Sequence, residues 1–275
     1  MVSQDIWVPG IASLIPYPTD LKEGTNTYME IIKQAPLRAM AVTPHPDDCE
    51  GGCGGTLSKW IKESGTVGVV VLCTNGDKGT SDREMDPARL AVIREQEQQE
   101  AADVMGAGDV VFLSYPDGGL EDNMLFRSQL VREIRRHKPD VILCLDPYRS
   151  HSHTHRDHRI SGQVAIDAAF TYAWNPLHFP EQITQESLEP HMVREAYLWG
   201  SETPDVFVDI TDFVDTKAES LGRHVSQMSS DSAGRAQRIR QWSATTGEKV
   251  GLAYAEGFRR IQFKLESLAS QFMQY

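Results

Sequence analysis

Two short stretches of this chain concentrate side chains able to do hydrolytic chemistry. The first is Pro44-His45-Pro46-Asp47-Asp48-Cys49-Glu50, which places one imidazole and two carboxylates within four residues. A borderline cation such as zinc takes His nitrogen and Asp oxygen in a tetrahedral shell. The second Asp beside it would be free to act as a base. The other stretch is His151-Ser152-His153-Thr154-His155-Arg156-Asp157-His158-Arg159, which holds four of the nine histidines of the chain. Plainer explanations exist for both. The first could be a polar cap on a strand end, and the second a solvated, pH-sensitive surface or an adventitious metal tract. Neither explains why both stretches follow directly on apolar runs that read as buried strands.

Those runs are residues 37–43 and 140–145. Residues 67–74 and 109–114 read as two more strands between them, and 193–199 and 206–210 as further strands. Helical spacing covers 123–138, about 158–172 and about 213–228. Pro87 opens a helix to about residue 107, a good first-turn position for proline, and helical segments are expected to end the chain. This alternation predicts an α/β fold with a Rossmann-like, mostly parallel sheet, helices on both faces and a three-layer sandwich. With strand order 3-2-1-4-5 the first and fourth strands are neighbours. Their C-terminal ends would then bring His45 and Asp48 close to His158 at the switch point, where sites form in open sheets. Without an internal repeat or a low-complexity linker, residues 1–275 read as one domain. The stretch 175–192, with Pro176, Pro180 and Pro190, reads as an irregular insertion over the active-site side.

Composition narrows the function. A formal net charge of −12 argues against nucleic acid, whose phosphates need a basic surface, but not against an uncharged sugar. No apolar run is long enough to span a membrane. Met1 to Trp7 lack the basic-then-apolar layout of a signal peptide, so the expected location is cytoplasmic. Cys49-x3-Cys53 invites a metal reading, but no second pair follows to close a structural zinc site. All four cysteines read as small buried hydrophobes.

His45-Pro46-Asp47-Asp48 with a later His155-x-Asp157-His158 resembles the PIG-L/LmbE family of zinc-dependent N-deacetylases, and most nearly its diacetylchitobiose deacetylase branch. Further segments resemble the family in family order: Thr74 to Thr80, Arg94 to Glu97, Tyr115 to Leu120, Val208 to Asp212 and Tyr254 to Arg259. The resemblance implies a single Zn2+ held by His45, Asp48 and His158, with the fourth position open to water, as in catalytic rather than structural zinc sites. It implies Asp47 as general base, His155 as the group that stabilises the tetrahedral oxyanion, and Asp157 as the carboxylate that orients and charge-supports His155. Asp157 also suits the first turn of a helix on electrostatic grounds. Arg94 and Asp117 would contact the sugar. By spacing alone, Arg94 is a surface ion-pair partner of Glu97 or Glu100, and Asp117 an Asp-Gly turn residue. Asn75, Asp77 and Lys78 could line the same mouth.

The chain departs from the family pattern in places. Arg156 stands where the family usually has proline. His153 stands where some mycothiol-pathway relatives carry tyrosine. His151 and His153 offer competing ligands. The implied activity is removal of the N-acetyl group from a GlcNAc-containing sugar, with a small amino-sugar substrate and a homo-oligomer, trimer or hexamer, by analogy. An amidase of a thiol-conjugate pathway and a non-catalytic metal- or sugar-binding module are the alternatives. The short, mostly polar stretch 175–192 disfavours the former, and retention of Asp47 the latter.

Overall fold

The computed structural model describes residues 29–227 and 232–263. Met1 to Trp7, on which the signal-peptide expectation rests, lie outside them. In chain order the elements are β1 (Glu30–Ile31), β2 (Arg38–Thr43), α1 (Asp48–Ser64), β3 (Val67–Thr74), α2 (Pro87–Met105), β4 (Asp109–Tyr115), α3 (Met124–His137), β5 (Val141–Leu145) and α4 (Arg156–Asp167). A π-helical turn, Ala168–Tyr172, continues α4. Then come α5 (Pro180–Thr184), β6 (Glu195–Trp199), β7 (Val206–Asp209), α6 (Val214–Gly222), α7 (Ser232–Glu248) and β8 (Ala255–Gln262).

The strands form one mixed sheet in the order β1-β7-β8-β6-β5-β2-β3-β4. This differs from the five-strand order expected from the sequence. Strands β4-β3-β2-β5-β6 run through the expected succession, but β8, β7 and β1 extend the sheet beyond β6. Strand β8 lies antiparallel to both β6 and β7, while the remaining pairs are parallel. It also stands as a strand among the helical segments expected toward the end of the chain, whose last residues, 264–275, lie outside the described ones. Its sequence, Ala-Glu-Gly-Phe-Arg-Arg-Ile-Gln, lacks the apolar run that marks a central strand. The inner strands do carry that run: β5 is buried at every residue, and β2 and β3 at every residue but the first. Burial on both faces produces such runs in parallel sheets.

Helices α1, α2, α6 and α7 pack on one another, as do α3, α4 and the π-helical turn, giving two separate groups. The insertion 175–192 does not cover the mouth of the sheet. It docks on α3, where the fully buried guanidinium of Arg135 takes the carbonyls of Ala173, Asn175, His178 and Phe179 and the Gln182 side chain. All four cysteines are free and buried. No helix among the described residues is long and apolar enough to cross a membrane.

Candidate active site

Strand β2 ends at Thr43, and α1 begins at Asp48 after four intervening residues. Asp47, at the junction, takes a left-handed backbone (φ 97°), rare for a residue with a side chain and concentrated at functional sites. Its side chain makes no capping bond to α1, so the carboxylate is not spent on the helix end as it would be in an ordinary Asp cap. It reaches Arg94 instead, at 3.4 Å. Burial and the neighbouring Asp48 charge push Asp47 up to about 7, against the pull of Arg94 and His224. A general base working near neutral pH needs a value in that range.

His45 Nδ1, Asp48 Oδ2 and His158 Nε2 face one another. The three separations are 3.0 Å, 3.2 Å and 3.2 Å. A tetrahedral cation with ligands at about 2.0–2.1 Å sets its donor atoms about 3.3 Å apart, so this donor set fits such an ion closely. The second shell fits too. His158 Nδ1 lies 3.1 Å from Thr154 Oγ1, leaving Nε2 to the centre. His45 Nε2 lies 3.1 Å from Asp117 and 3.3 Å from Asp157, the carboxylate–histidine pairing common behind metal ligands. Burial pulls the His45 pKa down, but hydrogen bonds to Asp117, Asp157 and Asp48 outweigh it and raise the imidazole to about 11. Three carboxylates around one ring demand positive charge, which a divalent ion would supply. Burial likewise opposes ionisation of Asp48, yet hydrogen bonds from His158 and His45 hold it well below the usual carboxylate range.

His155 caps α4, its Nδ1 accepting the Asp157 backbone N–H at 3.2 Å. In the neutral ring the proton therefore sits on Nε2, which points past Asp117 at 3.9 Å. Here the carboxylate of Asp157 has partners besides His155. The Asp157 carboxylate is 4.0 Å from His155 Nδ1 and is engaged elsewhere. It is fully buried, accepts from Gly118 N (2.6 Å) and Leu120 N (3.2 Å), and meets His45. Asp157 thus meets His155 through its backbone N–H and His45 through its carboxylate.

Arg94 is buried rather than paired on the surface. It donates to Pro46 O (2.6 Å) and Gly76 O (3.0 Å), tying the two loops at the strand ends together. A side chain at Gly76 would put its Cβ 2.1 Å from that guanidinium, and the residue has φ +63°, so glycine is required twice over. Glu97 instead accepts from Ser226. Asp117 is held by the Asp77 carboxylate at its backbone N–H (2.8 Å) and by Lys78 at its carbonyl (2.6 Å), a positioning role for that segment that the sequence left unassigned. Arg156 donates to Leu120 O, which anchors it. His151 lies against Glu202 and His153 against Arg159. Among the described residues neither joins a cluster able to hold a metal, whereas His45, His155 and His158 do, as do His45, Asp117, His155 and Asp157.

Two compartments open on this centre and share Asp47, Asp48 and His158. One, about 260 Å³, is lined by Arg94, Asp117 and His155. The other, about 630 Å³, runs away from them past Trp199 and Trp242. On and behind the wall of the larger compartment lie groups that spacing alone does not flag. Glu256 of β8 accepts from Gly55 N (3.1 Å) and Thr56 N (2.7 Å) and pairs with Lys217, which also donates to Gly51 O. Glu50 is fully buried with Gln98 and His224. Apart from the segment Tyr254 to Arg259, which contains Glu256, nothing in the sequence points to these distant partners.

Residues 40–169 match the family model described as PIG-L, GlcNAc-PI de-N-acetylase. The chain is 31% identical over 225 residues to diacetylchitobiose deacetylase of Thermococcus kodakarensis, covering 82% of this chain and 83% of that one. It is 28% identical to mycothiol S-conjugate amidase of Streptomyces coelicolor over 56% of this chain and 58% of that one. The fold superposes on N,N'-diacetylchitobiose deacetylase from Pyrococcus horikoshii with a TM-score of 0.76 at 30% identity, covering 84% of this chain and 86% of that one.

Proposed function

Because the chain belongs to the PIG-L family of deacetylases, we propose that it is a zinc-dependent hydrolase that removes the N-acetyl group from a GlcNAc-containing sugar. In this reading residues 1–275 form one domain of a cytoplasmic homo-oligomer. The two helix groups support a three-layer arrangement. The observation that carries the chemistry is the triangle of donor atoms from His45, Asp48 and His158, with the uncapped Asp47 carboxylate beside it.

These three side chains would hold Zn2+, which when bound acidifies water and polarises a carbonyl. The chain's own groups supply the rest. Asp47, raised to about 7, takes a proton from the attacking water and returns one to the departing nitrogen. Arg94 keeps Asp47 in place by fixing Pro46. His155 presents its Nε2–H to the oxygen that gains charge, an interaction realised in the transition state. Asp117 and Arg94 border the smaller compartment, where hydroxyl groups of the sugar would find acceptor and donor.

Similarity to the Thermococcus and Pyrococcus proteins favours a diacetylchitobiose-like sugar over a thiol conjugate. His153 faces Arg159 rather than the centre, which also counts against the mycothiol-type reading. A screen of acetate release from GlcNAc, N,N'-diacetylchitobiose and a GlcNAc-inositol substrate tests the assignment. Release from the disaccharide above the other two is expected. Release from the inositol conjugate alone would transfer the chain to the thiol-pathway class, and release from none would reject the proposal.

A further inference from the structure

The larger compartment is not explained by acetate. Its volume, about 630 Å³, falls among sites that enclose whole drug-sized ligands, whereas an acetyl group brings one methyl. Its inner end is formed by Asp47, Asp48 and His158, the place where the amide carbon would stand. Its walls include Leu145, Trp199, Leu221, Ile239 and Trp242. Four of these are buried, and Trp242 is 68% exposed. Lys217 and Glu256 also reach the cavity but neutralise one another in an ion pair, and Arg149 and Lys249 stand on its lining as well.

Gly51 adds an independent observation. It stands inside α1, where glycine is unfavourable, and it has an ordinary backbone. A Cβ there would meet nothing within 4 Å, so no packing demand explains the residue. Gly52, the next residue, is different, since its Cβ would lie 2.4 Å from Trp199. The absent side chain at Gly51 widens the cavity beside the reacting centre.

The two compartments differ in chemistry as the two sides of an N-acyl amino sugar do. The smaller, with Arg94, Asp117 and His155, offers partners to hydroxyl groups. The larger offers the apolar surfaces of Leu145, Trp199, Leu221, Ile239 and Trp242, with Arg149 and Lys249 also on its lining, which is why an anionic acyl group serves as the control below. From this juxtaposition we infer that the larger compartment receives the acyl chain, and that the enzyme hydrolyses amino sugars bearing N-acyl groups longer than acetyl, of medium aliphatic length. The inference rests on the de-N-acylase reading above. The reaction is the same hydrolysis: water adds its oxygen to the acyl carbon, the C–N bond breaks, and the nitrogen leaves as the amine after taking a proton. The products are a medium-chain carboxylate and an amino sugar.

The test is a series of N-acyl glucosamines, from acetyl through butyryl and hexanoyl to octanoyl, with N-succinyl glucosamine as an anionic control, assayed on the zinc-loaded full chain. Burying each methylene should raise kcat/KM by about threefold to fourfold until the cavity is filled. Gly51→Leu should lower the octanoyl-to-acetyl ratio at least tenfold, and Trp242→Ala should flatten the length dependence by a separate route. Octanoyl binding should also change tryptophan emission, through Trp199 and Trp242. Acetyl turnover without octanoyl turnover would overturn the acyl cavity while sparing the deacetylase reading. Failure of every substrate would defeat that reading itself. Preference for succinyl over hexanoyl would assign the cavity to an anion. Loss of diacetylchitobiose turnover in Gly51→Leu with an unchanged length dependence would place sugar there. Either result overturns the inference.

Discussion

Asp157→Asn separates the two roles open to this residue. The substitution keeps shape and removes charge. In the wild type the buried carboxylate accepts from Gly118 N and Leu120 N and meets His45 Nε2. An Asn side chain has one acceptor oxygen, so its NH2 group must face at least one of those three donors. Losing one charge-assisted hydrogen bond in a buried setting costs about 1.5–3 kcal/mol. At roughly 2–4 °C per kcal/mol for a domain of this size, the metal-stripped protein should melt about 3–12 °C lower. The charge behind His45 disappears as well. Loss of such a partner costs about 10- to 100-fold in metal affinity. Zinc affinity by competition with a chromophoric chelator, and thermal unfolding of the stripped protein, read the two effects. Unchanged zinc affinity and melting, with kcat alone reduced, would mean that Asp157 acts through His155 and that its contact with His45 carries no weight.

Other expectations follow from the same contacts. Asp47→Asn should lower kcat by about two to four powers of ten and leave zinc content near normal; zinc loss would make Asp47 a ligand. Lys217→Met strands the buried Glu256 charge and should destabilise the fold by about 3–5 kcal/mol in denaturant titration; a change under 1 kcal/mol would show that water reaches the pair. Glu202 is held down to about 2, first by the Ser150 backbone N–H and then, against the opposing effect of burial, by Ser152 and His151. Because its folded pKa is depressed, its support for the 150–152 loop is present above its ordinary value of 4.5 and fades as pH falls through about 2. Amide exchange at Ser150 and His151 should therefore be protected at pH 7 and lose protection in Glu202→Gln; equal exchange in both would remove that role.

Much of this was legible in the sequence because parallel strands buried on both faces leave continuous apolar runs, and loops at their C-terminal ends carry the chemistry. His45, Asp47 and Asp48 after β2, Asp117 after β4 and His155 and His158 after β5 meet for that reason. Strand β8 stayed hidden because Arg259 and Arg260 interrupt its pattern and one of its buried residues, Glu256, is charged. The direction of Asp157 was equally hidden. A spacing of two from His155 suggests a side-chain pair, but the turn into α4 gives His155 the backbone N–H and sends the carboxylate inward. By spacing alone Arg94 read as a surface charge, because helical spacing reports neighbours on one helix, whereas its partners are carbonyls of two distant loops; only the family resemblance placed it near the sugar. Arg135 escaped notice for the same reason: carbonyl acceptors leave no mark on residue type.

The most direct test of the zinc centre is a titration. Chelator-stripped protein is returned to activity with zinc while acetate release from N,N'-diacetylchitobiose is followed. Activity should rise linearly and saturate at one zinc per chain, with no restoration in His158→Ala at the same metal concentration. Full acetate release by stripped protein, or saturation only at two or more ions per chain, would contradict a single centre built from His45, Asp48 and His158.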